Sequence, residues 1–429
     1  MSIAVPHFVT NVTQSGSNTF NSGSCAWNGA AGDSVARTRF RTAGTIAKYR
    51  AKILTNTTTA NSFFDFREDN VSTGVGLTIT AGATGYFEDV NTLAVVSGDN
   101  FTHVVSQGTG GVITYSGCGF LFTATSDTVA RLISAGNADM GVDVDYFALF
   151  GALVATVTES EVQIKAPTPG TAKNLLCRLD QNTATATATV RLRKNETNTA
   201  LVISIGAGLT GVFEDLVNSE SIVLNDRLNY VIDGGGGGTN LSVRLLGIDF
   251  VTGDDSSIQG ASVTASFNPG ISETAYTSPS GRFENDTTES QTQLRIGDGT
   301  WRISKLGLYV SSNAATTNSN FRSRKNVANG NLNVIIIAAT TGHFQDTSGQ
   351  DSISSTDEIS FSGITSTGGG FNANQFYYKI GVPGGGSGAG KGSGGKGKKG
   401  GGGSSINVIH PGGATYINIG NQVDAGLGS

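Results

Sequence analysis

One six-residue phrase occurs three times in this chain: "TGYFED" at Thr84–Asp89, "TGVFED" at Thr210–Asp215 and "TGHFQD" at Thr341–Asp346. Its phenylalanines, Phe87, Phe213 and Phe344, lie 126 and 131 residues apart. The phase holds away from this anchor. Arg67-Glu68, Arg193-Lys194 and Arg324-Lys325 keep the same two spacings upstream, and Asp99, Asp226 and Asp357 follow at 127 and 131. Further on, "GFLF" (Gly119–Phe122), "GIDF" (Gly247–Phe250) and "QFYY" (Gln375–Tyr378) continue the register. A period of roughly 125–130 residues is the size of a domain and far longer than a solenoid repeat. The chain is therefore expected to hold three copies of one fold unit.

Within a unit the alternation is that of strands. Leu77/Ile79, Ile203/Ile205 and Val334/Ile336 precede the phrase at matching alternate positions. Phe101/His103, Leu228/Tyr230 and Ile359/Phe361 follow it in the same way. In the phrase itself, Gly85, Gly211 and Gly342 turn the chain, because glycine accepts backbone angles that other residues resist. The Phe then points inward, and Asp89, Asp215 or Asp346 accepts backbone amides in an Asx-type turn.

The composition agrees: 61 glycines, only 7 prolines and 14 % charged residues, filled out with Thr, Ser, Asn, Val and Ile. That palette suits β-branched strands joined by tight turns. The expected fold is all-β, with three tandem jelly-roll-like β-sandwiches at 1–124, 125–252 and 253–381.

After Pro383 comes a Gly/Ser/Lys-rich linker, 382–405, and then a C-terminal docking peptide or β-hairpin, 406–429. The linker matches GxxxxGK three times in overlapping frames. None of the matches is followed by Ser or Thr or set between a strand and a helix, so nucleotide binding is not expected. In "INVIHPGGATYINIG", apolar and polar residues alternate on both sides of a Pro-Gly-Gly turn. An isolated hairpin is marginal in water, so Ile406, Val408, Tyr416, Ile417 and Ile419 are candidate docking residues for strand addition onto a neighbour.

Chemistry is sparse. The histidines (His7, His103, His343, His410) sit beside no nucleophile signature, and His103 takes the slot that Tyr230 and Phe361 fill in the other units. The adjacent acids of the phrase point to opposite faces of a strand and cannot readily flank one glycosidic bond, and Gln345 replaces the first acid in the third copy. Cys25, Cys118 and Cys177 are odd in number and far apart, which suits buried thiols better than disulfides or zinc. Asp254-Asp255 or the turn aspartates could meet a calcium ion, but no EF-hand-type ligand loop is visible. No catalytic, cofactor or metal residues are assigned.

Net charge is −5, and about −9 without Lys391, Lys396, Lys398 and Lys399, so the folded part should repel phosphate backbones and nucleic acid is not an expected partner. The N-terminus lacks a basic, then apolar, export signal, and no apolar run reaches the length of a membrane span.

Tandem units of this kind, with the Arg-[Lys/Glu] … TGxF[EQ]D … Asp texture, low charge and abundant Gly/Thr/Asn, resemble structural proteins of tailed bacteriophage virions: capsid decoration proteins, head fibres and tail fibres. The resemblance implies a non-enzymatic virion component, made in the host cytoplasm, that binds other virion proteins and itself, with a trimer the first expectation. The alternative is a glycan-binding adhesin or receptor-binding tail fibre that meets a cell-surface glycan. Trp27, Trp301, Tyr377 and Tyr378 are the aromatics available to it, with Trp301 the candidate platform, although a Trp that opens a sandwich strand is more often a core residue.

Overall fold

The computed structural model of the chain describes residues 4–14, 19–21, 37–140, 144–235, 241–282, 285–297, 299–365 and 368–383. Residues 384–429, with the expected linker and the docking residues Ile406, Val408, Tyr416, Ile417 and Ile419, lie outside the described residues, as do Cys25 and Trp27.

The fold is nearly all β, and the described strands form six sheets. No sheet mixes strands from different repeats. The first repeat builds one sheet in the order Ala4–Gln14, Ile113–Ala124, Gly44–Asn56, Gly85–Glu88, with Thr92–Val95 on the same side of Gly44–Asn56. Its second sheet runs Thr19–Asn21, Asn100–Ser106, Ser62–Glu68, Val71–Ile79, and Thr38–Arg39 also pairs with Asn100–Ser106.

The second repeat repeats this order. Thr128–Met140, Leu241–Thr252, Gly170–Asn182 and Gly211–Ile222 form one sheet, and Val144–Phe147, Arg227–Asp233, Ala188–Lys194 and Thr197–Ile205 the other. In the third, Ser256–Phe267, Phe371–Gly381, Trp301–Asn313 and Gly342–Gln345 face Thr274–Thr277, Glu358–Ile364, Ser319–Lys325 and Ala328–Ile336. All these neighbours are antiparallel; Gly151–Ala152 and Gly281–Arg282 each add a short parallel pairing beside the first strand of their repeat. Short helical turns, Glu159–Val162 and Glu289–Thr292, stand at matching places in the second and third repeats.

The alternation read from the sequence becomes the core. Leu77, Ile79, Ile203, Ile205, Val334 and Ile336 are buried, as are Phe101, His103, Leu228, Tyr230, Ile359 and Phe361. His103 stacks between Tyr49 and Phe120, with ring centroids 5.4 and 5.7 Å away, and its Nδ1 lies 3.2 Å from the Tyr49 hydroxyl. Cys118 and Cys177 are buried free thiols, and burial pushes Cys118 up to about 12. All three repeats fall within a single compact unit, Met1–Ser387.

Two expectations change. Phe87, Phe213 and Phe344 pack against the cores but stay only partly buried, because Gly85–Glu88, Gly211–Ile222 and Gly342–Gln345 are edge strands. The last strand of the third repeat is also out of the expected register. Ile46 faces Phe122 and Ala172 faces Phe250, but Ile303, at the same repeat position, faces Ile380 rather than Tyr378. A shift of two residues leaves every side chain on its original face, so alternation alone could not reveal it.

Candidate functional site

The phrase sits on the edge strand of one sheet in each repeat, and its residues divide between folding that edge and meeting another repeat. Gly85, Gly211 and Gly342 have φ of +102°, +116° and +110°, and a Cβ on any of them would touch nothing within 4 Å. Glycine is needed here for the backbone angle alone.

The closing aspartate ties the two sheets together. One oxygen of Asp89, Asp215 and Asp346 accepts the amide of Gly76, Val202 and Asn333, at 2.7, 2.9 and 2.9 Å, from the edge strand of the opposite sheet. The other oxygen accepts amides of its own turn: Asn91 for Asp89, Val217 and Asn218 for Asp215, Ser348 and Gly349 for Asp346. Burial alone would raise the Asp215 and Asp346 carboxyls, but hydrogen bonds outweigh it, led at Asp215 by the Asn218 side chain and joined by these amides, and hold both below the usual carboxylate range.

A partner to this aspartate was missed in the sequence. Asn56, Asn182 and Asn313 end the long central strands, again 126 and 131 residues apart. Their Nδ2 groups donate to the carbonyls of Thr80 and Ala83, of Gly206 and Leu209, and of Ile337 and Thr340. Each asparagine thus pins the loop that enters the phrase, while the aspartate pins its exit. The spacing was visible, and applying the phrase's own offsets to the asparagines would have found them.

The residue before each Phe (Tyr86, Val212 or His343) faces away from the core and across its sheet from Lys52, Arg178 or Tyr309. On this outer face the repeats meet. Arg39, Lys165 and Arg295 occupy one equivalent position, each at the end of a two-residue strand opposite Asn100, Arg227 and Glu358.

From the first repeat, Arg39 donates to Glu214 at 3.1 Å, and Arg41 donates through both Nε and Nη2 to the same carboxylate. Burial would raise Glu214, but the hydrogen bonds from Arg41 and Arg39 prevail and lower it. From the second repeat, the carbonyl of Gln163 accepts Nε2 of Gln375 at 2.6 Å, and Ser160 lies 3.1 Å from the Tyr309 hydroxyl. Phe150 covers Gly260, where any Cβ would collide with its ring. Burial, with the charges of Lys165 and Arg227, pulls the His343 imidazole down to about 4. From the third repeat, Arg295 lies over the Tyr86 ring at 4.2 Å, the Tyr86 hydroxyl donates to the Gln293 carbonyl at 3.3 Å, and Glu358 accepts Lys52 at 3.3 Å.

Trp301 offers no open face to a sugar. It is 3 % exposed, and Tyr377 and Tyr378 are also buried. Trp301 holds the repeat position of Gly44 and Gly170, where a Cβ would run into Phe122 and Phe250. The third repeat has the smaller Ile380 in the facing strand, and the indole fills the space from the other side.

Glu88 pairs with Lys48 and Arg50, and Asp254 with Lys379 at 2.8 Å. A cleft of about 220 Å³ between the second and third repeats is lined by Ala152, Thr156, Glu161, Ser262 and Gln375 among others, and Glu161, its one carboxylate among the described residues, accepts Thr156 at 3.1 Å. Among the described residues no group of three or more His, Cys, Asp or Glu side chains is placed to hold a metal ion. No protein-family model matches this chain, and a search of curated proteins finds no match.

Proposed function

We propose that this chain is a non-enzymatic structural protein of a bacteriophage particle, a capsid decoration, head-fibre or other virion-surface component. Its body would be three tandem jelly rolls. The strand order supports this count: counting eight main strands per repeat, one sheet runs first-eighth-third-sixth and the other second-seventh-fourth-fifth, the interleaving of a jelly roll. The single observation behind the structural reading is the employment of the repeated phrase. Its carboxylates are engaged by backbone amides, arginines and lysines, and Glu214 and Tyr86 within it meet other repeats.

Attachment to other virion proteins, and self-association with a trimer first, would run through the C-terminal segment around Ile406, Val408, Tyr416, Ile417 and Ile419. The competing reading is a glycan-binding adhesin, for which the described aromatics Trp301, Tyr377 and Tyr378 present no exposed platform.

Deletion of residues 405–429 tests the proposal. Loss of incorporation into particles, with the body still folded, is the expected result. Unchanged incorporation together with saturable polysaccharide binding would replace it with the adhesin reading.

A further inference from the structure

We infer that the body is a single-chain counterpart of a homotrimer: three repeats joined head to tail in a ring that closes within one polypeptide. The inference is independent of any role in a particle. It rests on the cyclic order of equivalent contacts.

At each junction a residue in or beside the same short strand reaches the edge-strand face of the following repeat. Arg39 of the first donates to Glu214 of the second, Gln163 and Ser160 of the second meet Gln375 and Tyr309 of the third, and Arg295 of the third covers Tyr86 of the first. The last contact is decisive. A row of three domains would leave the outer sheet of the first repeat uncovered, yet Tyr86 and Lys52 there meet Gln293, Arg295 and Glu358, more than 200 residues away in sequence. Leu121 of the same sheet is also buried and packs where a side chain on Gly297 would stand. Contacts that join unlike surfaces head to tail form a ring when the rotation closes and a filament when it does not. Here it closes after three.

The three interfaces are equivalent in place but not in chemistry. The first uses arginines on a half-buried glutamate, the second amide and hydroxyl pairs around an imidazole, and the third a lysine–glutamate pair beside an arginine over a tyrosine ring. A homotrimer must use one sequence at all three. A single chain is free to make them different, and the difference fixes which repeat follows which. One chain thereby occupies the place of three identical subunits, and a second copy has no role in closing the ring.

The test is zero-length carbodiimide cross-linking of the full chain, run on an equal mixture of ordinary and nitrogen-15-labelled protein refolded together. The Lys52–Glu358 cross-linked peptide pair should appear as light–light and heavy–heavy species only, whatever the oligomeric state of the sample. Mixed light–heavy pairs would show that different chains complete the interface, and would overturn the inference. Charge reversal gives a second readout: Lys52→Glu and Glu358→Lys should each lower the melting temperature by about 2 °C or more, and the double variant should recover most of the loss. Absence of the cross-link together with failure of that recovery would also overturn it.

Discussion

At the scale of single residues, Asp215 carries more than its short side chain suggests. It receives amides from its own turn and from the edge strand of the facing sheet, so removing it leaves several donors unsatisfied at once. Asp215→Ala should cost about 2–3 kcal/mol in denaturant melts, since hydrogen bonds to a charged group lie in that range. Gly211→Ala should cost about 1–2 kcal/mol through backbone strain alone, because the added methyl meets no neighbour. Gly253→Ala is the control: its Cβ also meets nothing and its φ is not in the left-handed region, so the change should stay within about 0.5 kcal/mol. The glycine and aspartate of the phrase were legible in the sequence because each answers a local need, a turn and its amides. Asn182 was not picked out because its partners, Gly206 and Leu209, lie two strands further along the chain.

At the scale of elements, the informative piece is the edge strand that bears the phrase. Strand alternation told which residues share a face, and the burial of Ile203, Ile205 and Tyr230 follows from it. It could not tell what covers the other face. Tyr86 meets Arg295 and Gln293 of another repeat, whereas Val212 packs on Ile133, Ala135, Leu176 and Leu245 of its own, so one repeat compared with another shows only variation. Trp301 was legible as a core residue because it opens a strand, but what makes room for it was not: the facing residue is Ile380, in a strand some eighty residues later. The first interface supplies a prediction. Glu214 is only 10 % exposed beneath Arg39 and Arg41, so Glu214→Arg and Arg41→Glu should each destabilise the chain by about 1–3 kcal/mol, with much of the loss recovered in the double variant. Additive losses in chemical denaturation would mean that the ion pair does not couple the two repeats.

At the scale of the whole molecule, stability belongs to the joined repeats, and one joint is sensitive to acid. The pKa of His343 falls from 6.5 to about 4 in the folded chain, mainly through burial. Below pH 6.5 the unfolded chain therefore takes up a proton that the folded chain refuses. The stability contributed by the neutral imidazole is complete above that pH and is lost as the pH falls towards 4, by a few kcal/mol at most. His343→Val, which places the second repeat's residue at this position, should flatten the pH dependence of melting across that window.

The central claim is that the three repeats form one body locked at its interfaces, and scanning calorimetry of the full chain tests it most directly. A closed ring should unfold as one cooperative unit, with the calorimetric enthalpy close to the van't Hoff enthalpy, a ratio of about 1. Three separate transitions, or a ratio of about 3, would show independently folding domains and contradict the account.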